Sequence, residues 1–147
     1  MEKQANRRER GLKVLPGSYS VCRLHRDARV PEWATQGLFT SVTRTASELS
    51  VVCLDAPVPK GIEREGGWRV FKVEGPLDFS LTGVLASLTG PLAEAGIGVF
   101  ALSTYYTDYL LVKDEQLDRA MQALRSVGWD VEECRVAQRT EKTDARA

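Results

Sequence analysis

Histidine is nearly absent from this chain. His25 stands alone in 147 residues, so a histidine-based metal site or histidine general base has almost nothing to build on. Cysteine is scarce too. Cys22, Cys53 and Cys134 are an odd number at wide spacing with no C-x-x-C pair, which leaves no zinc knuckle and no dithiol redox motif. Each lies in a short run with apolar neighbours (SVCRL, SVVCL, EECRV) and reads as a small buried hydrophobe kept reduced. No apolar run approaches the ~20 residues of a membrane span. The charged opening MEKQANRRER has no apolar segment behind it, unlike a secretory signal. Charge of one sign is missing as well. Lys+Arg is 20, Asp+Glu is 20, and the formal net charge is +0. A neutral chain has no global attraction to phosphate backbones or anionic lipid. The expectation is a soluble, cytoplasmic protein without a nucleic-acid or membrane partner and without metal or cofactor.

What is present is ordinary globular composition, 43% hydrophobic and 27% charged. A chain of this length buries roughly 70% of its unfolded surface, enough for a core without cross-links. Residues 1–11 and 138–147 read as polar tails. Between them, Ser18–Leu24 alternates as a strand, and Pro31–Thr35 (PEWAT) allows one short helix. Phe39–Thr45 and Glu48–Leu54 form a hairpin. Residues 55–67, with Pro57, Pro59, Gly61, Gly66 and Gly67, read as a weakly ordered boundary. Trp68–Glu74 is a strand. Leu81, Val84, Leu85, Leu88 and Leu92 fall at helical spacing, with Ser80 or Asp78 as cap, a kink at Pro91 and a stop at Gly96. Ile97–Ser103 and Tyr109–Val112 are strands around TYYTD. A second helix carries Leu117, Ala120, Met121, Leu124 and Val127, capped by Asp114 and closed by Gly128, and Trp129–Val136 is a last strand. The order β-α-β-β-α-β predicts a four-stranded antiparallel sheet with both helices on one face.

The two halves also resemble each other. Thr43–Val52 aligns with Ser103–Val112 at a constant offset of sixty positions. The expected fold class is therefore α+β: two tandem ferredoxin-like βαββαβ units with antiparallel sheets. Residues 12–67 form an N-terminal unit degenerate in its helices, and residues 68–137 form the C-terminal unit.

No hydrolase, nucleotide-loop, zincin or dinucleotide motif is present, and no carboxylates cluster, so catalysis has no obvious players. Three features suggest binding. The run Leu77-Asp78-Phe79-Ser80-Leu81-Thr82-Gly83 enters a helix, whose N-terminal N–H groups favour a carboxylate; its plainer reading is an ordinary strand–helix connection. Gly98, within Ile97-Gly98-Val99, allows close approach to a strand, or else marks a bulge. Asp108 ends the turn TYYTD and either shapes that turn or receives a ligand's cation.

The segment GPLDFSLTGVLASLTGPLAEAGIGVFALSTYYTDYLLV resembles the ACT domain, a small amino-acid-sensing unit. It is similar to the ACT units of aspartate kinases and of the CASTOR arginine sensors. The helix entry SLTGVLAS, the mid-helix PLA and the block AGIGVFALSTYYTDYLLV carry the likeness. GSYSVCRL, LFTSVTRTASELSVVC and GWRVFKVEGPLDF extend it to a group of short double-ACT proteins, over residues 12–136. The resemblance implies a non-catalytic regulatory module that binds a free amino acid between ACT units of a homodimer. It places Ile97, Gly98 and Val99 on the interface strand, Leu77–Gly83 on the helix-entry loop, and Asp108 against a basic side chain. A protein regulated by the module is a further implied partner. The alternatives from the residues alone are a structural oligomerisation module without ligand and a small enzyme on a ferredoxin-like scaffold.

Overall fold

The computed structural model describes residues 11–75 and 82–134. The chain divides into two compact units. Gly17–Trp68 is an inserted unit; Met1–Pro16 and Arg69–Ala147 make up the other, called here the C-terminal unit. The elements in chain order are β1 (Gly11–Val14), β2 (Tyr19–Leu24), β3 (Ser41–Arg44), β4 (Leu49–Leu54), β5 (Glu63–Val73), α1 (Val84–Glu94), β6 (Phe100–Ser103), β7 (Asp108–Lys113), α2 (Leu117–Ser126) and β8 (Asp130–Glu133). Strand β5 runs from one unit into the other at Trp68–Arg69.

The C-terminal unit has the expected βαββαβ order in β5-α1-β6-β7-α2-β8, within an α+β architecture. Its sheet differs from expectation by one strand. β1 lies between β5 and β8, antiparallel to the first (Leu12↔Val73) and parallel to the second (Leu12↔Val131). Among its described residues the unit thus has five strands, with β1 and β8 a parallel pair. Residues 12–16 belong here and not with the first half, because β1 finds its hydrogen-bonding partners only here. Gly11 is already in β1, so the polar tail is shorter than residues 1–11.

Alternate residues build the core. Leu12, Val14, Phe71, Val73, Leu110, Val112 and Val131 face Leu88 and Leu92 of α1 and Leu117, Ala120, Met121 and Leu124 of α2. This is the period-2 strand meeting the 3.6-period helix. Both helices end alike. After α1, Ile97 N–H donates to Leu92 O (2.9 Å) and Gly96 N–H to Ala93 O (3.0 Å). After α2, Trp129 N–H donates to Leu124 O (3.1 Å) and Gly128 N–H to Arg125 O (3.1 Å). Gly96 (φ 74°) and Gly128 (φ 100°) supply the left-handed residue this motif needs. Pro91 lies inside α1, which continues to Glu94. Proline has no N–H for the carbonyl four residues back, and that carbonyl, Ser87 O, takes the Trp129 indole N–H instead (3.4 Å).

Two expected caps differ. Helix α1 begins at Val84 with Gly83 as N-cap (φ 80°) and no side-chain cap bond; Ser80 and Asp78 lie outside the described residues. Asp114 opens a 3-10 turn before α2 instead of capping it. Its carboxylate pairs with Arg69 (3.3 Å), which also meets Glu133 (3.5 Å).

The inserted unit has strands β3-β4-β2 and the first half of β5. Among its described residues there is no α-helix, only a 3-10 turn at Glu32–Thr35. Its core is small: Cys22, Ala34, Leu49, Val51, Cys53 and Val58, flanked by Leu24, Ala28, Trp33 and Ile62. The stretch expected to be loop up to residue 67 is strand from Glu63, because it pairs with β2 (Cys22↔Arg64, Tyr19↔Trp68). The register shifts between Tyr19 and Val21, opposite Gly66 and Gly67. Glycines therefore mark a bulge here and not a break. Gly66 leaves room for a polar cluster, since a Cβ there would lie 2.9 Å from Asp55 Oδ1 and 3.3 Å from Ser20 Oγ. Ser20, fully buried, donates to Asp55, which also pairs with Arg64 (3.6 Å).

The internal likeness is real at the level of the hairpins, but its register is not sixty. β3–β4 pairs Ser41↔Val52 and Arg44↔Leu49; β6–β7 pairs Phe100↔Leu111 and Ser103↔Asp108. Each residue of the first hairpin thus matches the residue fifty-nine positions later. Asp108 corresponds to Leu49 and not to Glu48.

Candidate functional site

The hairpin β6–β7 ends in the turn Thr104–Thr107, closed by Thr104 N–H donating to Thr107 O (2.9 Å). Ser103 and Asp108 are the last pair of the ladder. The Ser103 hydroxyl donates to Asp108 Oδ1 (2.6 Å). Asp108 is half-buried, and among the described residues no cation pairs with it. It therefore presents a carboxylate whose orientation is fixed by a local hydrogen bond, which both fits a turn-shaping role and leaves an oxygen for a ligand.

Thr107 connects this hairpin end to the strand that leads to the helix entry. It is only 3% exposed, and its hydroxyl donates to Val73 O (2.7 Å), the last residue of β5. The sequence reading gave neither Thr107 nor Ser103 a role in the site. The signal was available in the hydroxyls of Ser103, Thr104 and Thr107 around Tyr105-Tyr106, but a hydroxyl on a turn usually serves its own backbone. Tyr105 and Tyr106 cover the tip. They are exposed (74% and 67%) and meet edge to face at 5.4 Å.

The helix entry is described only at its end. Leu77, Asp78, Phe79, Ser80 and Leu81 lie outside the described residues; Thr82 and Gly83 are exposed. Ser87 N–H makes the first helical bond to Gly83 O (2.9 Å), and among the described residues no side chain caps α1. The N–H groups of its first turn can donate to an anion.

Ile97, Gly98 and Val99 are not in a strand. They are an extended lead into β6, which starts at Phe100 because the ladder with β7 begins at Phe100↔Leu111. Ile97 is buried and ends the α1 motif, Val99 packs against the core, and Gly98 is exposed. Among the described residues nothing lies within 4 Å of a Cβ built on Gly98, and its φ is not in the left-handed region. Neither packing against the described residues nor backbone geometry requires glycine there. Among the described strands, β6 pairs with β7 alone.

Cys22 and Cys53 are buried and Cys134 half-buried, all as free thiols. Burial pushes the Cys53 thiol up to about 12, and burial raises Cys22 as well. Such thiols are poor nucleophiles. Among the described residues, no group of three or more His, Cys, Asp or Glu is placed to hold a metal. No helix among them is long and apolar enough to cross a membrane.

Comparison with known proteins matches residues 63–126 to the ACT-domain family model, and residues 17–61 to a second model described as an N-terminal domain. The human cytosolic arginine sensor for mTORC1 subunit 1 is 34% identical over 59 residues, 40% of this chain and 18% of that protein. The match thus spans under a fifth of the curated relative's length. A structural-genomics protein of Agobacterium tumefaciens is 39% identical, with 85% of this chain and 93% of that chain covered and a TM-score of 0.80. The ligand-free regulatory subunit of aspartate kinase from Thermus thermophilus shares the fold at 12% identity, 76% and 91% coverage and a TM-score of 0.51.

Proposed function

We propose that the chain, whose residues 63–126 match the ACT-domain family model, is a non-catalytic regulatory module of the cytoplasm that binds a free amino acid and works as a homodimer. The ligand sits where Gly98 and its neighbours Ile97 and Val99 face the helix-entry loop Leu77–Gly83 of a second copy. Its carboxylate takes the N–H groups at the start of α1. Its amine or basic side chain takes Asp108.

One observation carries this reading. The Thr107 bond to Val73 holds the Asp108 end of the hairpin beside the strand that becomes the helix-entry loop, and Ser103 orients the carboxylate. The exposed, unconstrained Gly98 supports the approach of another molecule. The arginine-sensing role in the relative's name favours a basic amino acid. Pairing through β6 would cover its edge with an isologous contact.

The test is a thermal-shift screen against the twenty amino acids, followed by calorimetry on variants. A ligand at 100 times its Kd stabilises by about 2.7 kcal/mol. Gly98→Val abolishes binding by steric block while the fold persists. Asp108→Ala weakens a basic ligand by about 2–5 kcal/mol if the pair is buried and hydrogen-bonded. Unchanged affinity in Gly98→Val removes the site. A loss of affinity that is equal for neutral and basic amino acids in Asp108→Ala removes the side-chain-reading role.

A further inference from the structure

The inserted unit has its own segment between the first strand and the hairpin, residues 25–31, at the place in the β2–β3–β4 order where the other unit has its helix entry. Its polar groups are arranged the opposite way. Asp27 N–H donates to His25 Nδ1 (3.1 Å), and Ala28 N–H to His25 O (2.9 Å). The turn thereby uses the N–H groups of Asp27 and Ala28 internally. The carbonyls of Arg26 and Ala28 are left to accept, and both do so from one guanidinium: Arg44 Nη1 donates to Arg26 O and Arg44 Nη2 to Ala28 O (2.7 Å). The strap is reciprocal, since Arg26 Nη1 donates to Ala46 O at the hairpin tip (3.4 Å). Glu32–Thr35 is a four-residue 3-10 turn and provides no helix N-terminus to hold a carboxylate.

We propose that this segment is a guanidinium receptor already filled by Arg44, so that the inserted unit is closed to ligand and each chain carries one amino-acid site instead of two. A planar fork matches two carbonyls in a way that an ammonium point charge does not. Arg44 is the last residue of β3, the position that Ser103 holds in β6. The unit that has serine there has an open carboxylate, and the unit that has arginine there has a closed segment. The inference rests on the proposed ligand site for its meaning, but its test is local to the inserted unit.

The experiment is hydrogen exchange on the full chain, following amides 25–30, with guanidinium chloride at low millimolar concentration as the probe and sodium chloride at matched ionic strength as control. Arg44→Ala should speed exchange there by about tenfold, and guanidinium should restore protection in the variant while leaving the wild type unchanged. Arg44→Lys keeps the stem and charge but not the fork; it should exchange faster than wild type and be only partly restored. It also serves if the alanine variant does not fold. Exchange at the wild-type rate in Arg44→Lys, or guanidinium acting equally on wild type and variants, overturns the proposal. Amino-acid binding lost on Gly98→Val or Asp108→Ala belongs to the other unit and leaves this result untouched.

Discussion

The hairpins Ser41–Leu54 and Phe100–Lys113 have the same ladder length, the same four-residue turn and the same buried triplet, Val51-Val52-Cys53 against Leu110-Leu111-Val112. Both turns begin with a threonine whose hydroxyl accepts backbone N–H groups, Thr45 from Ser47 and Glu48 (3.1 Å each) and Thr104 from Thr107 (3.4 Å). They differ at the closing pair of the ladder. In the inserted unit it is Arg44↔Leu49, with Leu49 fully buried in the core. In the C-terminal unit it is Ser103↔Asp108, hydrogen-bonded to each other. One backbone frame thus carries a hydrophobic anchor in one copy and a poised carboxylate in the other. A repeated fold does not imply a repeated site.

The sharpest way to break this comparison is to exchange its residues. Leu49→Asp buries an unpaired charge in the small core of the inserted unit and should cost roughly 4 kcal/mol or more, read as a collapse of the denaturant midpoint. Gly66→Ala should cost about 1–3 kcal/mol, because the new Cβ displaces the Asp55 carboxylate from buried Ser20. An unfolding titration showing no loss would mean that the Ser20–Asp55 pair is dispensable. Alkali should act on the inserted unit first. Cys53 has its folded pKa raised from an ordinary 9.0 to about 12. The unfolded thiol therefore ionises while the folded one stays neutral, so stability is intact below pH 9.0 and falls above it by about 1.4 kcal/mol per pH unit until the folded pKa is reached. Native alkylation at neutral pH should accordingly label Cys134 and spare Cys22 and Cys53.

Thr107→Val should cost about 1 kcal/mol through the lost bond to Val73, and should weaken amino-acid binding while Asp108 itself is intact. The smallest effects belong to Asp108→Leu and Gly98→Ala, both expected within about 0.5 kcal/mol of wild-type stability by thermal melting. A large loss in Asp108→Leu would show the aspartate to be a structural turn residue and would erase the contrast with Leu49.

The C-terminal unit was readable because its helices declare themselves. Leu117, Ala120, Met121 and Leu124 repeat at helical spacing, and Gly96 and Gly128 stop the two helices where a left-handed residue is needed. Leu12–Leu15 reads as a brief extended run stopped by Pro16-Gly17, but the place of β1 in the sheet was not readable: its partners lie about sixty and about a hundred and twenty residues away, and four residues carry no record of such distant pairing. Strand Glu63–Gly67 was hidden by its charges and paired glycines, which signal a turn unless a partner strand is already known. The repeat was seen but slipped by one, because hydroxyl residues were matched with hydroxyl residues. A one-residue slip turns every side chain to the other face. In the sixty-residue register Asp108 met Glu48, and the contrast between a buried leucine and a carboxylate could not appear.

The placement of β1 also sets an order on the birth of the protein. The strand pairings of the inserted unit all lie within Gly17–Trp68. All its strands have left the ribosome while the C-terminal unit is still a single strand. β1 is translated before either of its neighbours and must wait with two open edges, first for β5 and then for β8, the last strand described. During that interval the nascent chain offers a short apolar strand to any extended segment nearby. The inserted unit follows directly behind β1 in the chain and is complete before the Phe71–Val73 part of β5 that pairs with β1 is made.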